Sequence, residues 1–511
     1  MKFTSQKKQL TLDLFRSSLQ ELDKSNRWVM LGDLLPWAEI EKRYNSKLNN
    51  AVKGAGNKPA RLIIGAMIVK HKLSLSDEET IQMIQENPYM QYMCGLSEFT
   101  DNPIFDPSLF VTIRKRISER ELNEMTVSLL KEQQRLKEEK KRQEEQPDDN
   151  NQNNQNPPAS SAMESVSEAF TDSQGRRHAG VLKIDATCAD AEVRYPVDVA
   201  LVNDGCRIIE EYTAGVCKLL GLRKPLTPYR SARGIYLELV RRKKKGGKFL
   251  KDTLRMMLAY LEKATRMLFD ILVSNPLSNE FFTPAKKQIL GAVCTMLQQQ
   301  KEMLASGTHQ CANRIVSIFQ PHVRPIVRGK AKANTEFGAK IGVSVVEGYT
   351  FIDHHSWDAY NENSDLSLQI QLFKERFGCL PATVLADKIY MNRHNRDILE
   401  DLEVRTYCKP LGRPPKTPPP PEVKARMAKA VGERNEVECS FGTGKRVYRA
   451  NDIRAKLPDT ARCWTGMCYF VKNVMKFLRE LCHALIEIWH YLKFIASPVG
   501  VIRNPLVTAV Y

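Results

Sequence analysis

GVLKIDAT, residues 180–187, is the stretch on which the reading of the fold turns. Its branched and apolar residues predict a short buried strand that ends on an acid, Asp185. The same device returns at ATVLAD, where an apolar run closes on Asp387, 387 − 185 = 202 residues later. Between them lie AKIGVSVVEGYTFIDHH, two β-rich runs about Glu347-Gly348 that read as a hairpin, and LSLQIQLFKERFG, an amphipathic helix. After Asp387 come a further strand, EVRTYC, the loop LGRPPKTPPPPE, and the helix VKARMAKAVGERNEVE, which carries Glu438.

Strand with acid, hairpin, helix, strand with acid, strand, helix with acid: that order predicts an α/β fold with a ribonuclease H-like catalytic core, a mixed sheet with helices packed on it. In such a sheet the first and fourth strands are neighbours, so Asp185 and Asp387 meet despite their separation. A shared cluster of carboxylates suits Mg2+, a hard cation that prefers oxygen donors and keeps several waters. Two ions about 3.5–4 Å apart activate an attacking oxygen and stabilise a leaving one in an in-line phosphoryl displacement. Glu438 closes the second metal site, and Mn2+ is the expected substitute.

The 511 residues suffice for two to four domains. Lys and Arg number 77 against 59 Asp and Glu, and the net charge of +18 favours a polyanionic partner, nucleic acid ahead of an anionic membrane. No stretch approaches the roughly 18 apolar residues of a membrane span, and the first residues lack a secretion signal, so a cytosolic protein is expected. The twelve cysteines contain no CxxC pair and read as reduced thiols, with zinc at Cys463 and Cys468 the weaker alternative.

Residues 1–140 read as an all-helical N-terminal domain. ARLIIGAMIVKHKL is a core helix, Ser76 to Glu79 form a capping box, and a third helix opens at Asp106-Pro107 and carries Arg114, Lys115 and Arg116. Short helices ending in a basic one suggest DNA binding, a solvated charged face being the alternative. Residues 141–176 are polar and proline-broken, a flexible linker. The catalytic domain takes 177–205 and 325–460, split by a helical insertion at 206–324. There RRKKKGGK sets Arg241, Arg242, Lys243, Lys244 and Lys245 in one run, either phosphate-contacting or merely solvated. A C-terminal helical segment, 461–511, is expected to pack on the sheet or on another subunit.

RNEVECSFGTGKR, residues 434–446, spaces Arg434, Glu438 and Lys445 as R, three residues, E, six residues, K. Arg434 shares a helix face with Glu438. Gly442 and Gly444 read as a loop that bends Lys445 toward a polyanion, so both cations are expected to hold a DNA phosphate beside the metal ligand. The plain alternative is a surface ion pair worth about 0.3–0.5 kcal/mol. Glu436 is the rival to Glu438 but lies about 200° round the helix. Asp190, Asp198 and Asp204 fall in apparent loop and rank behind Asp185. Asp353, His354 and His355 are either structural or a second metal site. Trp357 and Tyr360 either stack on a displaced base or are partly buried. Arg413, in LGRPPK, belongs to a minor-groove hook or to a plain proline-rich loop.

These residues resemble the DDE transposases of bacterial insertion sequences, in the group similar to insertion sequences four and five. The resemblance rests on KIDATCADAEVRYPVD, TVLADKIYMNRHN and RNEVECSFGTGKR, the last following the pattern Y, two, R, three, E, six, K with Val431 in place of the tyrosine. KPARLIIGAMIVKHKLSLSDEETIQMIQENPYMQYMCG is similar to the helical domain that precedes the core in that group. It covers roughly 60–120, 180–205 and 325–460. It implies metal-dependent nicking and strand transfer by a 3′ hydroxyl, with Asp185, Asp387 and Glu438 as catalytic metal ligands. The implied partners are double-stranded DNA, as terminal inverted repeats and target, with a homodimer on DNA and a cytoplasmic, nucleoid-associated location. A DNA-binding relic without catalysis and a nuclease on the same fold are the alternatives.

Overall fold

The computed structural model describes residues 19, 21–46, 48, 56–144, 169–327, 335–412 and 420–496. Helices come first: α1 (Arg27–Leu34), α2 (Trp37–Asn45), α3 (Ala60–Leu73), α4 (Asp77–Glu86), α5 (Pro88–Met93), α6 (Leu109–Arg116) and α7 (Glu119–Glu144). A small ribbon, β1 (Phe170–Thr171) with β2 (Arg177–His178), leads into β3 (Val181–Asp190). Then follow α8 (Asp198–Leu219), α9 (Tyr229–Arg241), α10 (Gly247–Ser274) and α11 (Pro284–Ser306). The chain re-enters the sheet through β4 (Arg324–Val327), β5 (Thr335–Val346) and β6 (Tyr349–Ser356). It ends with α12 (Leu366–Phe377), β7 (Thr383–Leu385), α13 (Arg393–Asp401), β8 (Arg405–Thr406), α14 (Pro421–Arg446) and α15 (Pro458–Ala496).

The six-stranded sheet runs β4-β5-β3-β7-β8, with β6 also on β5. β5 holds two neighbours on its outer edge: β4 pairs with Thr335–Gly338 and β6 with Lys340–Val346. The β5–β6 turn is the expected hairpin, because Glu347 (φ 48°) and Gly348 (φ 77°) supply the two left-handed residues of a tight two-residue loop. β3 is antiparallel to β5 on one side and parallel to β7 on the other. It does not stop at Asp185, since its pairing with β5 continues to Asp190 opposite Gly338.

Two boundaries differ from expectation. Residues 169–178, assigned to the linker or its edge, form the β1–β2 ribbon, closed by Asp172, whose carboxylate accepts from the backbone N–H groups of Gln174 (3.0 Å) and Arg176 (2.7 Å). The part of the linker at 145–168 lies outside the described residues. The insertion opens at Asp198 rather than 206, because Val199, Leu201 and Val202 of α8 already join its separate core with Met257, Leu261 and Met296. Asp198 and Asp204 therefore sit on a helix, not in loop.

The N-terminal helices share one continuous core with the sheet and α15, running from Trp28 through Ile64, Leu129, Ile184 and Val343 to Phe477. Charge is buried where they meet. Asp77 takes two hydrogen bonds from Arg114 (2.8 and 2.7 Å) and lies 3.0 Å from Lys70, and both cations also face the Trp464 ring of α15. Arg114 is 7% exposed, so its expected phosphate contact is corrected: its fork is spent on Asp77. Lys115 and Arg116 remain exposed.

β6 would otherwise present an open edge, a liability for any sheet. Two helix side chains close it. The amide of Asn473 (α15) accepts from Thr350 N–H (2.9 Å) and donates to Thr350 C=O (2.7 Å), while Asn123 (α7) does the same for Ile352 at 3.2 and 2.7 Å. Two residues apart on a strand, these groups point the same way, so each asparagine imitates one residue of a missing strand. The C-terminal helix is thus packed on the sheet, with Cys463 and Cys468 both buried as free thiols.

Asn473→Leu leaves the Thr350 N–H and C=O buried without partners and is expected to destabilise the protein by about 2–4 kcal/mol in urea denaturation. Burial pulls the Asp77 carboxyl up, but the bonds from Arg114 and the charge of Lys70 outweigh it and hold it below its ordinary 3.8. A depressed folded value contributes stability that is complete above the unfolded value and is lost as pH falls through the folded one. Asp77→Asn is therefore expected to cost about 3 kcal/mol at pH 7, and the gap between variant and parent is expected to narrow as unfolding curves are taken below pH 3.8.

Candidate active site

Three elements bring the acids together. β3 and β7 pair as Val181↔Thr383, Leu182↔Val384 and Lys183↔Leu385, a constant offset of 202. Asp185 and Asp387 lie two residues beyond the last pair at the same offset, Asp185 still on β3 and Asp387 just past the end of β7. Asp387 begins a 3-10 turn, Lys388–Tyr390, whose first N–H it accepts at 2.8 Å. α14 brings Glu438. That helix is seated on the sheet by buried Val437, by Ser440 hydrogen-bonded to Thr350 (2.7 Å), and by an ion pair from Glu436 to Lys183. Glu436, the rival to Glu438, is thus occupied two residues before Asp185.

Arg434 joins β3 to α14. One guanidinium nitrogen donates to Asp185 Oδ2 at 3.3 Å and another to Glu438 Oε1 at 3.2 Å. Asp185 also accepts from the Ala186 N–H at 2.8 Å. Its carboxyl is pushed up to about 6, chiefly by burial and further by the carboxylates of Glu362 and Asp387, against the Ala186 N–H and Arg434. Glu438 is largely exposed and Asp387 exposed.

The glycine loop is corrected. α14 runs unbroken through Gly442 and Gly444, and Gly444 is needed because a Cβ there would lie 2.8 Å from the Tyr469 ring of α15. Lys445 consequently stays on the helix, two turns or about 10 Å beyond Glu438, where its charge acts on Cys188. Among the described residues, Cys188, Asp190 and Glu336 are the one set of three possible ligands with atoms within 4.8 Å of one another. Burial pushes the Cys188 thiol up, away from the thiolate a metal needs. The three acids Asp185, Asp387 and Glu438 are more open than that limit, with the Arg434 fork between two of them. Their donors are all carboxylate oxygens, the set that fits Mg2+.

The other candidates are placed as follows. Asp353 is paired with Arg376 (2.6 Å), His354 with Asp365 (2.8 Å) and His355 with Glu119, so these side chains turn to separate partners rather than to one ion. Trp357 packs against His322 and the core, and the Tyr360 ring lies against His354. Arg241, Lys243, Lys244 and Lys245 are exposed in the insertion, whereas Arg242 pairs with Glu238 (2.8 Å) and covers Phe249. Arg413 lies outside the described residues. A cleft of about 560 Å³ is lined by Ala186, the residue after Asp185, and by Thr187, Lys340, Tyr360, Glu362 and Ile389. Glu362 and the Lys183–Glu436 pair escaped the sequence reading, since neither falls in a spaced motif.

Residues 16–116 match the family described as Transposase domain (DUF772), and residues 384–475 match the family described as Transposase DDE domain. The second match contains Asp387, Arg434 and Glu438, and Asp185 precedes it. A curated Rhizobium meliloti protein, "Uncharacterized protein ORF8 in nfe locus", is 32% identical over 114 residues, 22% of this chain and 54% of that protein. The chain thus spans about half the length of that relative. No solved structure matches. Among the described residues, no helix is long and apolar enough to cross a membrane. With one transposase domain matched at its N-terminal end and a DDE domain matched over its second and third acids, the two matches support an insertion-sequence DDE transposase, and the group of insertion sequences four and five is consistent with them.

Proposed function

We propose that the chain cuts DNA at the inverted-repeat ends of its own insertion sequence and joins the freed ends to target DNA, using a ribonuclease H-like core. The observation that carries this reading is the common register of Asp185 and Asp387 together with the Arg434 fork that links Asp185 to Glu438. The strand order, with the first strand between the second and the fourth, supports the fold assignment.

Asp185, Asp387 and Glu438 would hold the divalent ions, Mg2+ in the cell with Mn2+ as a substitute. When bound, two such ions supply Lewis acidity that activates the attacking oxygen and stabilises the leaving one. In the cut, a water oxygen bonds to phosphorus, the bond from phosphorus to the 3′ oxygen breaks, and that oxygen takes a proton to become a 3′ hydroxyl. In the joining step the 3′ hydroxyl oxygen attacks a target phosphodiester, and a target 3′ hydroxyl leaves, so the number of phosphodiester bonds is conserved. Arg434, whose fork spans Asp185 and Glu438, would be free to turn to a phosphate of the end once those carboxylates held a metal. The exposed cations at 241 and 243–245 contact backbone phosphates further along the duplex. Two ends are held by a homodimer formed on DNA, in the nucleoid of the cytoplasm.

Asp185→Asn, Asp387→Asn and Glu438→Gln are each expected to lower nicking of an end-containing duplex by about a thousandfold or more, the loss of several kcal/mol of charge stabilisation, with end binding in a gel-shift assay retained. Nicking at the parental rate by any of the three removes that residue from the site. Pre-cut ends should be joined to a plasmid target, and cleavage without joining would make the chain a nuclease. Changing Lys243, Lys244 and Lys245 to Glu is expected to flatten the slope of log affinity against log salt by about 0.9 per lost phosphate contact. An unchanged slope returns the run to solvated surface.

A further inference from the structure

Glu362 belongs to no motif, yet the fold carries it to the acids. It opens the short 3-10 turn Glu362–Asp365 that leads from β6 into α12. Three contacts fix the turn. The Asn395 amide nitrogen donates to the carbonyls of both Asn363 (2.7 Å) and Tyr390 (2.8 Å), tying the turn to the segment that starts at Asp387. Lys340 of β5 lies 2.6 Å from a Glu362 carboxylate oxygen and donates to the Tyr360 carbonyl at 2.8 Å. Asp365 covers Gly342, where a Cβ would come within 2.5 Å of its Oδ2, and Gly342 is the cross-strand partner of Ala186.

These contacts place the turn on the sheet face of Ala186 and Gly342, while α14 holds the face of Lys183 and Asp185, because strand side chains alternate. β7 ends its pairing at Leu385, so beyond Lys183 the two faces meet at an open edge. Glu362 lines the cleft there with Ala186, Thr187 and Ile389. An independent feature beside the same acids points to a ligand. Tyr390 is fully buried, and its hydroxyl has no hydrogen-bond partner among the described residues. The charges that act on that hydroxyl are Asp185 first, then Glu362 and Asp365. A buried phenol close to carboxylates but bonded to none is a donor suited to a water of a hydrated cation.

We propose that Glu362 is a fourth acid of the divalent-cation site, approaching Asp185 from the sheet face opposite α14, with the Tyr390 hydroxyl donating to a water that the cation retains. Lys340 holds the carboxylate in place when no cation does. The inference rests on the reading of Asp185 as a metal ligand.

The test is Mn2+ titration of the full chain without DNA, following free Mn2+ by electron paramagnetic resonance, with thermal unfolding as the check on folding. Glu362→Gln is expected to weaken Mn2+ binding by about tenfold or more, the scale set by groups that orient metal ligands and their waters. Lys340→Met keeps the carboxylate and frees it, so its affinity is expected to equal or exceed the parent's. Unchanged Mn2+ affinity in Glu362→Gln, beside a clear loss in Asp185→Asn, overturns the role of Glu362 alone. Equal losses in Glu362→Gln and Lys340→Met, with a common fall in melting temperature, also overturn it, since the pair is then only structural. Parental affinity in Asp185→Asn overturns the site reading on which the inference rests.

Discussion

The candidate site depends on the register between β3 and β7. Their ladder is only three pairs long, and a slip of one residue would send Asp387 to the opposite face. Three pairs are a weak specification, and the register is held from outside them. His178 of β2 bridges Leu380 at the same offset of 202, with Ala179 N–H bonded to the Leu380 carbonyl (2.9 Å) and Ala382 N–H to the Gly180 carbonyl (3.0 Å). The His178 ring is itself gripped between Asp172 (3.0 Å) and the Pro381 carbonyl (3.3 Å). The small β1–β2 ribbon therefore lengthens the ladder upstream and sets the level at which the two aspartates meet.

Charge decides the rest of the arrangement. Burial is the chief cost at Asp185, and the neighbouring carboxylates of Glu362 and Asp387 add to it, which is why its carboxyl rises to about 6 against the Ala186 N–H and Arg434. Arg434 supplies one positive charge to Asp185 and Glu438 together. A divalent ion held by these carboxylates would supply twice that charge in a smaller radius, and the guanidinium donors would then be free for another anion. The same side chain thus ties β3 to α14 and balances two of the three acids.

Elements with a local cause were legible in the sequence. The Ser76–Glu79 capping box, the Glu347-Gly348 turn and the helix over LSLQIQLFKERF closed by left-handed Gly378 are each written in neighbouring residues, and each stands where it was expected. The order of strands and acids was legible too, because sheet neighbours follow from connectivity. What failed depended on contacts across the fold. Arg114 looked like a free cation until Asp77 and Trp464 closed on it, and Gly442 and Gly444 looked like a loop until Tyr469 came to lie against the helix. The Asn123 and Asn473 clamps and the Glu362 turn left no spacing to read, since each is defined by a partner more than a hundred residues away or by a cleft that exists only in the folded sheet.

The helical insertion interrupts the connection between β3 and β5, antiparallel neighbours that a short turn would ordinarily join. Its entry and exit lie at one end of the sheet, since β3 leaves at Asp190 and β4 returns with Arg324 opposite Gly338, itself the partner of Asp190. Because the ends are already adjacent and the cost of closing a longer loop grows only logarithmically, more than a hundred residues fit there without disturbing the ladder, provided they bury their own apolar surface. They do so around Val202, Met257, Leu261 and Met296, separately from the main core. Asp185 stands five residues before the exit, about 16 Å along an extended strand. The exposed cations after α9 are therefore carried on a body rooted at the end of the sheet toward which β3 runs from Asp185.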